Sequence, residues 1–328
     1  MFSVNLKNTK QDQPAVNNLS SEVETKVETA VAELGKALLG KEKQIRLALC
    51  CMFSGGNLLI EDLPGMGKTT LAHALARVFG LDFNRIQFTS DLLPADILGI
   101  SVFDQAKGSF SFHPGPIFSQ LILADEINRT TPKTQSALLE AMEEGQVTVE
   151  GETRALPEPF FVIATQNPVT LSGTYPLPES QLDRFLMRLR LGYPDQQAER
   201  KILMQDARIN NASAVSQCLS AGDVKQFRDL SMQVHASDSL LDYVQRIIAH
   251  TRNREDFHFG LSPRGGLALM RSARTWALMA GRKHVIPEDV QAVLPAVVEH
   301  RLRASTDEDG HTGASLAQHL LNEVDVIE

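Results

Sequence analysis

The sequence predicts an α/β protein in which a parallel sheet, covered by helices on both faces, is followed by a smaller all-helical domain. Three observations support this fold class. Short apolar runs alternate with helical patterns up to residue 193, which is the order typical of parallel sheets. A glycine-containing loop joins the first of these runs to a helix. From Pro194 onward the strand patterns largely disappear and helical patterns replace them.

The N-terminal region begins with a polar segment, residues 1–19, that we expect to be a poorly ordered tail. A helix is predicted to start at Ser20 or Ser21, because acidic residues follow within its first turn. Apolar residues then recur at helical spacing until Gly40, which is expected to end this helix. A second helix is predicted over residues 41–53.

The predicted core domain covers residues 20–193 and contains several short apolar runs typical of buried strands. These runs are residues 58–60, 85–88, 121–124, 160–164 and 186–191. Helices are predicted between them over residues 68–79 and 132–144. Residues 102–113 and 146–156 each carry a glycine between alternating runs and are predicted to be inserted hairpins. Each hairpin is either a plain surface feature or a moving part with a function.

The second half of the chain is predicted to hold a linker, a helical lid domain and a tail. The linker covers residues 194–221 and the lid covers residues 222–304. Pro263 and Pro287 each stand just before a helical pattern, where a first-turn proline is favoured. Residues 305–328 are predicted to form a C-terminal tail that contains one short helix.

Composition and charge argue against several classes of protein. The longest apolar stretches, such as residues 47–53, are far shorter than the roughly 20 residues that span a bilayer, so no membrane span is expected. The formal net charge of −8 argues against a dedicated duplex-DNA binder, which needs a basic face. Two of the three cysteines are adjacent, no zinc-site spacing occurs, and the N-terminus lacks a secretory signal. A reducing cytoplasm is therefore expected.

The strongest local signal is the glycine-containing loop between a buried strand and a helix. Its residues are Asp62, Leu63, Pro64, Gly65, Met66, Gly67, Lys68, Thr69 and Thr70. The two glycines allow successive N–H groups to turn inward around a phosphate, and the helix N-terminus favours that anion. Lys68 is expected to reach the β- and γ-phosphates, and the Thr69 hydroxyl to ligate Mg²⁺. Asp62 stands where this motif usually has glycine, so its carboxylate must point away from the phosphates.

Two carboxylates, Asp125 and Glu126, follow the strand predicted over residues 121–124. Neighbouring side chains of a strand point to opposite faces, so the two groups can hold different roles. Asp125 is expected to orient Mg²⁺ and its waters. Glu126 is expected to polarise the water that attacks the γ-phosphate. Open α/β sheets bind their ligands at this end of the strands.

Five linked motifs resemble those of one family of ATPases. They are Gly-Met-Gly-Lys-Thr (65–69), Ala-Asp-Glu-Ile-Asn-Arg (124–129), Ala-Thr-Gln-Asn-Pro (164–168), Leu-Pro-Glu-Ser-Gln-Leu-Asp-Arg-Phe (177–185) and Leu-Ser-Pro-Arg (261–264). In this order they resemble AAA+ ATPases of the MoxR family over residues 20–304. The resemblance implies a P-loop AAA+ core with hairpin inserts and a helical lid. The hairpins fit the AAA+ branch that also holds magnesium chelatase and the minichromosome maintenance helicases.

The resemblance also implies roles for residues outside the glycine loop. Asn167 matches sensor 1, which helps to hold the attacking water near the γ-phosphate. Arg184 matches the arginine that reaches into a neighbouring subunit's nucleotide site, with Arg129 and Arg188 as alternative candidates. Arg264 matches sensor 2, carried on the lid, and would serve either its own site or a neighbour's.

By the same resemblance, Gly40 and Lys41 lie where the family often encloses the adenine. The chain is expected to hydrolyse ATP with Mg²⁺ as a homo-oligomeric ring, a hexamer by family resemblance. MoxR relatives often act with a von Willebrand factor A domain partner. With that partner they remodel a protein client, insert a metal or cofactor, or assemble a complex.

Two other functions stay open at this point. One is a nucleic-acid motor like the helicases of the same branch, which the acidic charge balance disfavours. The other is a nucleotide-binding scaffold without hydrolysis, which the joint presence of Glu126, Asn167 and Arg184 disfavours.

Overall fold

The computed structural model describes residues 13–106, 108–168, 173–204, 214–254, 257–304 and 313–327. Its α-helices are α1 (Gln13–Ala37), α2 (Glu42–Phe53), α3 (Lys68–Phe79), α4 (Pro94–Leu98), α5 (Pro132–Glu144), α6 (Glu179–Leu182), α7 (Gln196–Met204), α8 (Ala221–Met232), α9 (Asp238–Asn253), α10 (Pro263–Met279), α11 (Pro287–Val298) and α12 (Gly313–Glu323). Its strands are β1 (Leu58–Glu61), β2 (Phe83–Gln87), β3 (Gly99–Asp104), β4 (Ser109–Pro114), β5 (Leu121–Asp125), β6 (Gln146–Val149), β7 (Glu152–Ala155), β8 (Phe161–Gln166), β9 (Met187–Leu189), β10 (Phe257–Phe259) and β11 (Arg303–Ala304). None of the described helices is long and apolar enough to cross a membrane.

A five-stranded parallel sheet forms the centre of the core domain, in the order β2-β5-β8-β1-β9. Because its strands run in one direction, their carboxyl ends meet at one edge of the sheet. At that edge Glu61 pairs in register with Gln166, and Gln87 pairs with Asp125. The sheet confirms the predicted α/β fold class and brings the ends of β1, β2, β5 and β8 together.

Alternate residues of β1 enter two separate apolar cores, one on each face of the sheet. Leu58 and Ile60 belong to the larger core, whereas Leu59 belongs to the smaller one. The larger core continues through α1, α2 and α3 into the lid helices, where the rings of Phe53 and Phe227 meet edge to face with centroids 4.9 Å apart. The lid therefore packs against one face of the core domain. Helices α4 and α5 cover the other face.

Helix α1 begins at Gln13, and the predicted start at Ser20 or Ser21 is wrong. Ser20 is buried, and the acidic residues after it lie within the body of the helix. A serine followed by glutamates also suits the interior of an amphipathic helix, so the pattern does not mark a boundary uniquely. The helix ends at Ala37, before Gly40, whose φ of +70° is left-handed. Of the predicted tail, residues 1–12 lie outside the described residues.

Two strands differ in their bounds from the predicted runs. Strand β2 starts at Phe83, because its pairing with β5 extends to Leu121. Strand β9 covers three residues, since it pairs only with the three apolar residues that open β1. Helices α3 and α5 have the predicted bounds.

The segment between core and lid is partly helical, since the predicted linker over residues 194–221 contains α7. Helix α8 follows Ser220, whose side chain accepts the N–H of Asp223, while Asp223 accepts the N–H of Ser220. The lid is not purely helical, because β10 and β11 form a short antiparallel pair. Helix α12 buries Leu320 in the larger core, so this part of the predicted tail packs onto the lid.

Both predicted hairpins are present, with β3 paired to β4 and β6 paired to β7. Gly108 and Gly151 turn these hairpins with φ of +62° and +82°, a conformation that favours glycine. The first hairpin begins at Gly99, earlier than predicted, and exposes Phe103 and Phe110 with ring centroids 5.3 Å apart.

Candidate nucleotide site and its separate arginines

The glycine loop joins the carboxyl end of β1 to the first turn of α3. Gly65 and Gly67 have φ of +85° and +89°, and no atom lies within 4 Å of a Cβ built on either. Backbone angle, and not lack of space, is therefore what requires glycine here. Gly67 caps α3, so the N-terminal N–H groups of this helix face the loop and can receive an anion.

Asp62 supports the loop from behind. Its Oδ1 accepts the N–H of Leu63 at 2.8 Å, and its Oδ2 accepts the N–H of Gly192 at 2.6 Å. The side chain is buried and ties the loop to the segment that follows β9. This explains how an acid can occupy a position that usually holds glycine, because backbone N–H groups donate hydrogen bonds to both carboxylate oxygens.

Lys68 opens α3 and donates from Nζ to the backbone carbonyl of Asp62 at 2.5 Å. Burial lowers the pKa of Lys68, and the carboxylates of Asp62, Asp125 and Glu126 act in the opposite direction. The Lys68 side chain is thus folded over the loop, in a position where a phosphate could replace the carbonyl as its partner.

One cavity of about 320 Å³ brings together most of the predicted nucleotide-site residues. Its lining residues are Pro64, Gly65, Gly67, Lys68, Thr69, Thr70, Asp125, Glu126 and Asn167. The loop comes from β1, the two acids from the end of β5, and Asn167 from the segment after β8. Their meeting follows from the parallel order of these three strands in the sheet.

Asp125 is held between two neighbouring strands. Its Oδ1 accepts the Thr165 hydroxyl at 2.6 Å, and its Oδ2 accepts Nη2 of Arg85 at 2.6 Å. Thr165 also accepts the N–H of Glu126 at 2.9 Å. Carboxylate and hydroxyl oxygens are the ligands that Mg²⁺ prefers, so Asp125 and Thr69 fit a magnesium ion bound with a triphosphate.

Glu126 has a left-handed backbone, with φ of +58°. A positive φ is uncommon outside glycine, and such strained residues concentrate at functional sites. Its Oε2 accepts Nη1 of Arg129 at 2.8 Å and Nε2 of Gln87 at 3.1 Å. Two donors therefore hold the carboxylate at the mouth of the cavity, and Arg129 pairs with an acid of its own chain.

Arg184 and Arg264 lie in a different place. Both bind the same carboxylate on α5: Nη2 of Arg184 lies 3.2 Å from Oε2 of Glu143, and Nη2 of Arg264 contacts Oε1. They line a cavity of about 610 Å³ between the core and the lid, which Arg271 and Arg274 also line. None of the residues lining it lines the cavity of the glycine loop.

The alternative candidate Arg188 is buried within its own chain. It pairs with Glu61 at 3.0 Å and with Glu299 at 3.5 Å, and only a tenth of its side chain is exposed. A guanidinium held this way is not available to a neighbouring subunit, so the structure argues against Arg188 as the intersubunit arginine.

Gly40 and Lys41 line a third cavity, of about 380 Å³, together with residues of α1 and α2. Lys41 donates from Nζ to the carbonyl of Tyr193 at 2.6 Å. A Cβ on Gly40 would lie 3.0 Å from Oδ2 of Asp195. The segment 192–195 therefore links Gly40 and Lys41 to Asp62, although the structure does not bring them into the cavity of the glycine loop.

Three residues in these contacts were not among the predicted site residues: Arg85, Thr165 and Glu143. Their partners are distant in sequence, 40 residues away for both Arg85 and Thr165. The available signal was weak: a charged residue within β2, and a threonine that ends the apolar run of β8. Glu143 is one of several acids on α5, and nothing in the sequence distinguishes it.

Known proteins share both parts of this architecture. Residues 57–187 match the ATPase family associated with various cellular activities (AAA), and residues 249–320 match the AAA lid domain. The chain is 40% identical to Chaperone MoxR1 of Mycobacterium tuberculosis, over 88% of this chain and 78% of that protein. It is 46% identical to the uncharacterized protein YeaC of Bacillus subtilis, over 83% of this chain and 85% of YeaC.

The whole fold also matches a solved structure. A crystal structure of a proposed ATPase from Cytophaga hutchinsonii superimposes with a TM-score of 0.87 at 35% sequence identity. The match covers 97% of this chain and 99% of that one, so core and lid share one arrangement in both proteins. Sequence relatives, domain matches and fold agree, and the chain belongs to the MoxR family of AAA+ ATPases.

Proposed function

We propose that this protein hydrolyses ATP with Mg²⁺ at sites shared between neighbouring protomers of a ring. The observation that carries the proposal is the separation of two groups of residues. Lys68, Asp125 and Glu126 line one cavity, whereas Arg184 and Arg264 line another and are joined by a carboxylate. A single protomer thus has the groups proposed to bind phosphate and activate water in one place, and Arg184 and Arg264 in a second.

In the loop cavity, the N–H groups around Gly65 and Gly67 would bind the phosphates, and Lys68 would leave the Asp62 carbonyl to contact the β- and γ-phosphates. Thr69 and Asp125 would hold Mg²⁺, which when bound neutralises charge on the phosphates. Gly40 and Lys41 would border the adenine, which is the role that the family resemblance implies for them.

Glu126 would orient and deprotonate the attacking water, and the Asn167 amide would hold that water or the γ-phosphate through its donor and acceptor groups. Gln87 and Arg129 hold the Glu126 carboxylate in the structure. Turnover requires that carboxylate to turn from these donors to the water.

Arg184 and Arg264 would both act in trans, entering the site of the neighbouring protomer together because one carboxylate joins them. Arginines placed in this way stabilise the charge of the transferring phosphoryl group and contribute about 10³- to 10⁵-fold in rate. A closed ring gives every site its neighbour's arginines, and we propose a hexamer, as the family resemblance implies.

The work driven by hydrolysis is proposed to be chaperone-like remodelling, since one relative at 40% identity carries the name Chaperone MoxR1. This includes metal or cofactor insertion into a protein client, or assembly of a client complex, with a von Willebrand factor A domain protein as partner. A cytoplasmic location stays a prediction. The net charge of −8 counts against a nucleic-acid motor.

The core of the proposal is tested by single variants. Lys68→Ala should abolish ATP binding, whereas Glu126→Gln should retain binding and lose turnover by about 10²- to 10⁴-fold, as expected for loss of a general base. Binding is measured with a fluorescent ATP analogue and turnover by phosphate release. Equal turnover in Glu126→Gln and the unmodified protein would refute the role of Glu126.

Whether neighbouring protomers share each ATPase site is tested by mixing two variants. Arg184→Ala keeps its own loop cavity, and Glu126→Gln keeps its arginines, so mixed rings should regain part of the lost turnover. The matched control mixes Arg184→Ala with the double variant Glu126→Gln/Arg184→Ala, so that neither protomer can supply Arg184. Recovery in both mixtures, or in neither when mixed rings are verified by mass, would contradict action in trans.

A further inference from the structure

The lid holds a cluster of metal-ligating side chains far from the glycine loop in sequence. It consists of His250 on α9 and His319 and Glu323 on α12, with one ligand atom from each lying within 4.8 Å of the others. His319 and Glu323 are four residues apart, so they lie one turn apart on the same face of α12. His250 meets them from the neighbouring helix.

The surroundings of this cluster are apolar on one side and open on the other. Phe257 packs against both imidazole rings, with centroids 6.2 Å from His250 and 6.5 Å from His319. The two rings have centroids 6.3 Å apart. Both histidines are half-buried, whereas the Glu323 carboxylate is exposed, so an ion could enter from the side of Glu323.

We propose that this cluster is a site for a divalent transition-metal ion of the zinc type. Two imidazole nitrogens and one carboxylate oxygen form a donor set that suits Zn²⁺, Co²⁺ and Ni²⁺, with water completing the coordination. Mg²⁺ is disfavoured, because it prefers oxygen ligands throughout. The site does not depend on the nucleotide chemistry proposed above.

Binding requires at most a small closure of the cluster. Ligands at about 2.1 Å from one ion lie at most about 4.2 Å apart, and the present ligand atoms lie within 4.8 Å of one another. Side-chain rotation can provide this, and the exposed Glu323 is best able to move. Its contact with Arg254 is long, at 3.4 Å, so exchanging that cation for a metal ion removes only a weak interaction.

The ion would connect two helices whose ligands are 69 residues apart in sequence, from His250 to His319. Helix α12 packs onto the lid through its apolar face. A metal bond between α9 and α12 would therefore fasten the C-terminal helix to the lid and raise the stability of this region. No spacing within the sequence marks the site, because α9 and α12 are separated by two further lid helices.

The test uses the full chain, freed of metal with a chelator and titrated with Zn²⁺ by calorimetry. One site per chain is expected, and a Co²⁺-loaded sample should show the visible absorption of a nitrogen- and oxygen-ligated ion. His319→Ala or His250→Ala should weaken binding by at least about 100-fold, since loss of an outer-shell partner alone costs about 10–100-fold. Zn²⁺ should raise the melting temperature of the unmodified protein but not that of His319→Ala or His250→Ala.

Two further variants keep this test decisive. Glu323→Gln changes an exposed side chain and should fold normally, yet it should weaken Zn²⁺ binding. His258→Ala removes a histidine on the nearby strand β10 that is outside the cluster, and it should bind Zn²⁺ like the unmodified protein. Equal affinity in Glu323→Gln, His319→Ala and the unmodified protein, or absence of a stoichiometric site, would overturn the proposal. Lys68→Ala should leave this Zn²⁺ site intact.

Discussion

Nε of Arg301, in the turn that follows α11, lies 2.6 Å from Oδ1 of Asp183 in the core domain. The same guanidinium donates to the backbone carbonyls of Asp183, Phe185 and Leu186. These carbonyls surround Arg184, the arginine proposed to act on a neighbouring protomer. The lid is thus bonded directly to the segment that carries Arg184, and a movement of the lid would move that arginine.

Arg301→Met should destabilise the protein strongly, because it leaves the Asp183 carboxylate and several carbonyls without a donor. Loss of one partner from a buried pair costs about 3–5 kcal/mol, and we expect about 3 kcal/mol because Asp183 is partly exposed. Urea unfolding followed by circular dichroism measures the change. The control is Arg303→Ala, which removes an exposed pair with Glu179 and should cost less than about 1 kcal/mol. A similar decrease in the free energy of unfolding in both variants would contradict the conclusion that Arg301 stabilises the contact between lid and core.

Glu143→Gln should lower kcat for ATP by about tenfold, or 1.4 kcal/mol, without changing KM. Arg184 and Arg264 lose the carboxylate that joins them, whereas the loop cavity of the same protomer is untouched. Steady-state ATPase kinetics separate the two constants. This prediction rests on the proposed function of both arginines.

The matched control is Glu144→Gln, the next residue of α5. Adjacent residues of a helix point about 100° apart. Glu144→Gln therefore also removes one negative charge, but from a side chain that points away from that of Glu143. It should leave kcat unchanged. A rise in kcat for Glu143→Gln would show that Glu143 restrains the arginines instead of positioning them.

Gly67→Ala should weaken ATP binding by about tenfold or more. The substitution meets no atom within 4 Å, so its effect comes from the left-handed φ of +89°, which costs a residue with a Cβ about 1–2 kcal/mol. Fluorescence titration with an ATP analogue measures it. Gly151→Ala is the control, since it also meets no atom within 4 Å and has a left-handed φ of +82°, but it lies in the turn between β6 and β7. It should keep ATP affinity while costing the same strain of about 1–2 kcal/mol.

His300 should make the protein less stable as the pH falls below about 6.5. Burial lowers the pKa of His300 well below its usual value, and the charges of Arg301 and Arg188 act in the same direction, while its bond to the Phe185 carbonyl opposes them. The unfolded chain binds a proton at this histidine when the folded protein does not. The contribution of His300 to the free energy of unfolding is therefore fully present above about pH 6.5. Below that pH it decreases by up to about 1.4 kcal/mol per pH unit.

Melting temperatures between pH 7.5 and 5.5 test this dependence. His300→Gln should lower stability at pH 7.5 and flatten the slope, whereas His258→Gln, which changes an exposed residue, should keep the slope of the unmodified protein. An unchanged slope in His300→Gln would show that other groups control the acid response.

Cys218 should be the only thiol that a disulfide reagent modifies in the folded protein. Burial raises the pKa of Cys51 to about 12 and that of Cys50 well above its usual value, so neither forms a thiolate near neutral pH. Cys218 is half-exposed and its pKa is also raised by burial, so its reaction should be slow. Cys218→Ser should abolish native labelling, and all three thiols of the unmodified protein should react in denaturant.

Local spacing in the sequence was enough to predict the local structure around the glycine loop. The strand, glycine loop and helix around Lys68 occupy consecutive residues, and the positive φ of Gly65 and Gly67 follows from that loop. The acids Asp125 and Glu126 end a buried run, so their place at the edge of the sheet followed from the parallel strand order. Motifs of this kind depend on backbone geometry over a few residues, which the residue types specify directly.

Tertiary structure alone decided which distant side chains meet. Packing of core against lid places Arg264 beside Glu143, 121 residues earlier, and so groups it with Arg184 and away from Lys68. Packing of α12 onto the lid brings His319 to His250. No local pattern encodes such pairs, because they form only when separate helices bury their apolar faces in a shared core, and that burial depends on the whole chain.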